Sequence, residues 1–406
     1  MKPESLYKWC QFKGVGVLGA GDFTHPRWIS ELKEKLTPAE PGLFELKADL
    51  AQAQDREIPP SCRAPMRFLL GVEISCIYKK NGRVRKVHLL VFAPSFEVAE
   101  RINAKLEKIG NIRSDGRPIL GLDSKNLLSL VLETSDQAHL IPAHAWTPHF
   151  AVFGSESGFD SLEECFDDLT PQIFAIETGL SSDPSMNWRL SALDKITLIS
   201  NSDAHSPQKL AREANVLDAP LSYEGIFNAF KRRPGAKLLK TLEFFPEEGK
   251  YHIDGHRHCK ARLEPDETRR LKGLCPVCNK PVTVGVLHRV EKLGDRRPQQ
   301  PAGAAGFEHI IPLKEIIGET LGVGPASVKV DRLYHRLLFL FGNELNILRE
   351  LPLERLEAEG FELLSVALGG MRRGEVRIEA GYDGEYGKIL TLKGKTAQGA
   401  TEPSLF

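Results

Sequence analysis

Over the first 245 residues, short apolar runs alternate with amphipathic stretches, and this alternation restricts the possible folds more than any other feature. The runs at 15–20, 68–75, 87–92, 139–142, 173–177 and 196–200 read as strands. Helical patterns at 28–36, 96–109 and 122–133 separate several of them. Strand–helix alternation predicts an α/β fold with a largely parallel sheet, open or closed into a barrel. With 406 residues the chain exceeds what one core supports, so two or more domains are expected.

In parallel α/β folds, chemistry collects where strands end and loops are free to vary. Here the runs end in acids and histidines. The run at 15–20 leads into Asp22 and His25, that at 69–72 into Glu73, that at 140–143 into His144, and that at 198–202 into Asp203 and His205. Any one of these could be a cap or a surface group, but four runs ending the same way point to a shared metal site. His88 opens its strand and so breaks the pattern. Asn81-Gly82 supplies the reason, because this pair favours a two-residue type I′ hairpin. With Lys80 and Arg83 flanking the turn, Ser75 falls opposite His88 and Glu73 opposite Leu90. Glu73 and His88 then become diagonal neighbours on one face, roughly 7–8 Å apart or less. Simple packing of His88 on the barrel wall is the alternative.

Four cysteines are scattered, whereas Cys259, Cys275 and Cys278 cluster. His256-x₂-Cys259 and Cys275-x₂-Cys278, with fifteen residues between the pairs, form a tetrahedral zinc-site pattern. His256 fits the fourth position by spacing; His258 and His252 are its rivals. Four protein ligands leave no place for water, so this zinc is read as structural. The domains expected are a barrel at 1–245, a zinc module at 246–295, a helical region at 296–380 and a tail at 381–406. Lys+Arg and Asp+Glu balance at 54 each, which argues against a nucleic-acid coating protein but leaves room for local basic patches. No apolar run is long enough to span a bilayer and the N-terminus lacks a secretory signal, so a cytoplasmic location is expected.

Asp22, Glu73, His88, His144, Asp203 and His205 resemble the metal-ligand set of the polymerase-and-histidinol-phosphatase (PHP) superfamily. The phrases Gly21-Asp22-Phe23-Thr24-His25-Pro26, Pro142-Ala143-His144-Ala145-Trp146, Gly179-Leu180-Ser181-Ser182-Asp183-Pro184, Met186-Asn187-Trp188-Arg189-Leu190-Ser191 and Ser202-Asp203-Ala204-His205 resemble its endonuclease Q branch. The resemblance covers nearly the whole chain. It implies a PHP-type distorted (β/α)7 barrel carrying a divalent metal cluster of Zn, Mn or Mg, with Glu73 as a bridge and His25 as extra ligand or proton donor. It also implies cleavage of damaged DNA 5′ of deaminated bases (uracil, hypoxanthine, xanthine) or abasic sites. Trp146 and Trp188 are then placed to stack on a displaced nucleotide, with Arg189 beside them; packing at the barrel mouth is the competing role. The superfamily begins with a strand ending in His-x-His, and no His precedes His25 here. The cluster is therefore expected to be incomplete unless upstream codons supply that strand.

Gly322-Val323-Gly324 before a helix, and Glu359-Gly360-Phe361 further on, resemble tandem helix-hairpin-helix domains. Backbone amides of such hairpins hold phosphates without reading sequence. The final Ser404-Leu405-Phe406 resembles a sliding-clamp peptide, in which two apolar side chains fill a pocket. Two other functions compete with the nuclease. One is a PHP phosphatase of small monoesters, which leaves the zinc module unexplained. The other is an inactive DNA- or clamp-binding protein.

Overall fold

The computed structural model describes residues 2–114 and 116–392; the clamp-like Ser404, Leu405 and Phe406 lie outside them. Arg67–Lys80 and Arg83–Ala93 form a long antiparallel hairpin at the centre of the largest sheet. Asn81 and Gly82 have φ of 54° and 72°, the left-handed pair that a type I′ turn requires. The register is the expected one, with Ser75 opposite His88 and Glu73 opposite Leu90. Val17–Gly19 lies parallel to the first hairpin strand, and His139–Pro142 antiparallel to the second. The sheet is therefore mixed where the sequence predicts a largely parallel one. The cause is the hairpin, which reverses direction without a crossover helix.

Beyond it, Ala175–Glu177 runs parallel to Thr197–Ile199, and the Ala145 amide donates to the Glu177 carbonyl at 2.9 Å to link the two sheets. Ala214–Asp218 pairs antiparallel with Lys237–Glu243, which pairs parallel with Gly306–His309. The chain thus returns to the strand Lys237–Glu243 after residues 246–295, immediately past a stretch at 297–306 whose Pro, Gln, Gly and Ala content resembles a linker.

Alternate residues of a strand face opposite sides, and here both sides are buried. Leu69, Ile141, Ala175 and Ile199 share one cluster with Tyr223 and Phe227. Phe68, Leu70, Leu140 and Ile176 belong to another, under the outer helices. Phe227 packs 4.2 Å from His139, the first residue of its strand, so an aromatic plug sits at the end where that strand begins. The opposite end, where the polar residues gather, is left for chemistry.

A second core is built from the helices Leu313–Leu321, Val328–Phe341, Glu344–Arg349, Leu353–Ala358 and Glu362–Arg372. The N-terminal helix Pro3–Lys13 gives Phe12 to this core. Lys13 Nζ lies 2.6 Å from Glu344 Oε2, with both side chains at most 5% exposed. Tyr334 donates its hydroxyl to the same oxygen, and the Leu313 amide donates to Glu344 Oε1. This buried, fully partnered carboxylate fastens the helical region to the barrel. Arg377–Glu379 and Lys388–Leu390 close the described chain as an antiparallel pair. No helix among the described residues is long and apolar enough to cross a membrane.

Candidate active site and metal-ligand clusters

Three of the six barrel candidates converge. Glu73, His88 and His144 each offer a ligand atom, all within 4.8 Å of one another. His88 Nδ1 lies 2.9 Å from Glu73 Oε1, His144 Nε2 lies 3.1 Å from the same oxygen, and the two nitrogens are 3.1 Å apart. Thr147 donates its hydroxyl to the His149 carbonyl and accepts from His144 Nδ1 at 2.9 Å. That partner places a proton on Nδ1, so Nε2 meets the carboxylate either with a second proton, as imidazolium, or with a lone pair directed at a cation. Lone pairs that converge in this way repel unless a proton or cation lies between them. One carboxylate oxygen and two imidazole nitrogens suit a divalent transition metal or zinc.

Ionisation follows from the same contacts. Burial raises the Glu73 carboxyl, but hydrogen bonds from His144 and His88 and the Arg117 charge outweigh it, holding it well below the usual range. Burial lowers His88. It also opposes protonation of His144, which the Glu73 carboxylate nevertheless pulls upward.

The strand ends carry strain where the sequence places ligands. Asp22, His144 and Asp203 have φ of 50°, 30° and 43°, a region that residues with a Cβ rarely adopt. Gly179 permits the close approach behind His144. It has φ 64°, and a Cβ there would stand 2.5 Å from His144 Cβ. The His144 amide donates to Glu177 Oε2 at 2.7 Å, and Asn201 donates to Glu177 Oε1 at 2.8 Å. Burial pushes that carboxyl up to about 7.

Glu177 escaped the sequence argument although its run ends in an acid as the others do. Arg117 escaped as well, since it lies in a loop with no local signal; its Nη2 is 2.5 Å from Glu73 Oε2.

The other expected ligands are near but not gathered. Asp22 senses the charges of Arg117, Glu73, His25 and His205, and burial raises its carboxyl. Asp203 contributes to the field at His144. His205 is turned outward, its side chain 78% exposed and its Nδ1 3.0 Å from the Asp203 carbonyl. His25 Nδ1 accepts from the Trp28 amide and caps the helix Pro26–Lys35.

Trp146 is a correction. It is fully buried, donates Nε1 to Asn187 Oδ1 at 2.7 Å and packs on Phe153, so it is core and not a platform for a base. Trp188 is half-buried, edge-on to Phe307. Arg189 pairs with Glu291 at 3.2 Å, and its carbonyl accepts from the amides of Asp295 and Arg296. It therefore ties the barrel to the segment that follows the cysteine cluster.

The second convergent group is His256, Cys259, Cys275 and Cys278, again within 4.8 Å. Each pair ends on a left-handed residue, Lys260 at φ 52° and Asn279 at φ 58°, which turns the chain sharply behind the ligands. His256 Nδ1 lies 3.4 Å from Cys278 Sγ, so the spacing-based choice over His258 and His252 agrees with the geometry. Burial lowers the His252 imidazole to about 4. Burial raises the Cys275 thiol, but the amides of Cys278 and Val277 outweigh it and bring it to about 6. Such thiolate stabilisation suits a metal-binding turn.

In the helical region, Gly322 has φ 64° and ends Leu313–Leu321, with its amide donating to Glu319 and that of Val323 to Gly318. Gly360 has φ 80°, and the amides of Gly360 and Phe361 donate to Glu357 and Leu356 with the same offsets. The second turn, irregular in sequence, thus repeats the backbone of the first. A Cβ at Gly324 would meet nothing within 4 Å, so the first turn presents open backbone.

Known proteins share this arrangement. The crystal structure of the lesion-specific endonuclease PfuEndoQ from Pyrococcus furiosus superposes with a TM-score of 0.83 at 28% identity, covering 96% of this chain and 90% of that one. A complex of endonuclease Q with a 27-mer duplex carrying an abasic lesion at the active site gives 0.79 at 29% identity, over 95% and 90%. The superposition thus spans the barrel, the segment that carries the cysteines here and the helical region. The chain is similar to endonuclease Q along nearly its whole length. Its barrel is of the PHP type, followed by a C-terminal helical domain.

Residues 312–375 match the MJ0043 C-terminal domain. The uncharacterized protein MJ0043 of Methanocaldococcus jannaschii is 30% identical over 254 residues, 61% of this chain and 31% of that protein. The chain therefore spans less than a third of that relative's length. The uncharacterized protein YqxK of Bacillus subtilis strain 168 is 29% identical over 391 residues, 93% of this chain and 89% of that one.

Proposed function

We propose that this endonuclease Q-like chain is a metal-dependent DNA repair nuclease that cuts the phosphodiester 5′ of a deaminated base or abasic site. One observation carries the reading: Glu73 and His88, inside the central hairpin, converge with His144, just past its strand, in a fold matched along nearly its whole length by a lesion-specific endonuclease. A divalent ion held there would act as a Lewis acid and lower the pKa of a water molecule.

The chain's own residues supply the rest. Thr147 fixes the tautomer of His144, and Glu177 fixes its backbone. Asp22 and Asp203 would add further ligands from neighbouring loops, and His205 would join them only by turning inward from its exposed position. His25, which caps the helix Pro26–Lys35 beside Asp22, is the group assigned to protonate the leaving 3′ oxygen. His256, Cys259, Cys275 and Cys278 would hold a structural zinc. The open backbone at Gly324, beyond the Gly322 turn, would rest against a phosphate, and the Gly360 turn repeats that shape, which gives affinity without sequence preference. A mispaired or missing base lowers the cost of unstacking, and selection starts there. Trp188 is the aromatic side chain placed to stack on the displaced nucleotide. The clamp contact rests on Ser404, Leu405 and Phe406 alone.

The test is incubation with Mn²⁺ and duplexes carrying uracil, hypoxanthine or an abasic site. A nick 5′ of the lesion supports the reading. Release of phosphate from monoesters with no nick replaces it with a phosphatase. Binding of the duplex without any cut assigns the chain to DNA binding alone.

A further inference from the structure

Arg117 stands inside the candidate centre, yet no ligand pattern accounts for it. Its Nη2 lies 2.5 Å from Glu73 Oε2 and its Nη1 3.5 Å from His88 Nε2. The position is built into the fold. Arg117 precedes Pro118, whose carbonyl accepts from the Ser75 amide at 2.9 Å, two residues along the strand from Glu73. Strand Ile119–Leu120 then pairs with Ser75 and Cys76. The side chain is 27% exposed, its Nε is buried without a partner, and its charge is the foremost one lowering Asp22.

A guanidinium has five N–H donors in a planar fork. Glu73 takes one of them. A divalent ion on Glu73, His88 and His144 would place a second positive centre beside this cation, and two adjacent like charges in a half-buried mouth favour an anion that touches both. A tetrahedral oxyanion has the oxygens to bridge an Arg fork and a metal. The geometry points to Arg117 as a phosphoryl-oxygen subsite beside the metal ligands. Through it the chain grips a phosphate of its substrate directly, while one N–H braces Glu73. The inference builds on the proposed nuclease but does not require DNA as the substrate.

The test uses the full chain loaded with Mn²⁺ and inorganic phosphate as the probe, with binding followed by calorimetry and bound Mn²⁺ counted separately. Arg117→Met is expected to weaken phosphate at least tenfold while retaining Mn²⁺; Arg117→Lys, which keeps charge but loses the fork, should fall between. Free guanidinium at millimolar concentration should partly restore phosphate binding to Arg117→Met. Phosphate binding unchanged by Arg117→Met overturns the subsite, as does loss of Mn²⁺ equal to that of Glu73→Gln, which would make Arg117 a brace only. Wild-type protein that ignores phosphate overturns it too. If phosphate behaves as expected but an abasic duplex stays uncut, the subsite stands and the nuclease reading fails.

Discussion

Replacing Gly179 with alanine changes no ligand, yet it should damage the metal site. The new Cβ would stand 2.5 Å from His144 Cβ and 2.7 Å from His144 Cα, and Gly179 has φ 64°. Left-handed backbone costs a residue with a Cβ about 1–2 kcal/mol. Forcing a methyl group into filled space adds about 1–3 kcal/mol. The sum is about 2–5 kcal/mol, and a domain of this size loses about 2–4 °C of Tm per kcal/mol. Relief comes only by moving His144, whose backbone is also fixed by Glu177. Disturbing the support of a ligand lowers metal affinity by about 10–100-fold. Differential scanning fluorimetry and Mn²⁺ titration of Gly179→Ala would measure both effects. A Tm within about 1 °C of wild type with unchanged Mn²⁺ affinity would refute this account of how His144 is held.

Other perturbations have equally specific outcomes. Lys13→Met leaves the Glu344 carboxylate buried without its cation and should cost about 3–5 kcal/mol in urea unfolding; a loss below about 1 kcal/mol would show that Tyr334 and the Leu313 amide suffice. His139 has its imidazole lowered to about 3 by burial and by Lys231. The unfolded chain therefore binds the extra proton first, so stability falls as pH drops from about 6.5 towards 3, by about 1.4 kcal/mol per unit. His139→Phe should flatten that acid limb in melts from pH 7 to 5, and an unaltered slope would contradict it. Cys278→Ser should remove one zinc per chain by elemental analysis and loosen residues 254–283 to hydrogen exchange, whereas unchanged zinc content would displace Cys278 from the ligand set.

What the sequence revealed follows from the range of each signal. The Asn81-Gly82 turn fixes φ locally, so the register placing His88 beside Glu73 was legible residue by residue. The cysteine pairs were legible for the same reason, since a tight turn needs only its own residues. Asp22, Asp203 and His205 follow the strands Val17–Gly19 and Thr197–Ile199, but whether loops draw them onto one point depends on packing that no local pattern records. Trp146 was misread because a loop tryptophan next to a ligand looks exposed until Asn187 and Phe153, distant in sequence, enclose it. Arg117 left no trace in the sequence, as its role arises from a loop carried to Glu73 by the pairing of Ile119–Leu120 with the hairpin. The short strands Leu36–Pro38, Phe44–Leu46 and Gly306–His309 went unseen because three or four residues carry too little periodicity.

The central claim is that Glu73, His88 and His144 hold a metal ion that cuts DNA beside a lesion. It is tested most directly by single-turnover cleavage of an abasic-site duplex across a Mn²⁺ titration, comparing wild type, Glu73→Gln and His144→Ala. The account predicts a nick 5′ of the abasic site that appears only with metal and falls at least about 100-fold in either variant. Cleavage that persists in both variants, or an uncut duplex at saturating metal and protein, would contradict it.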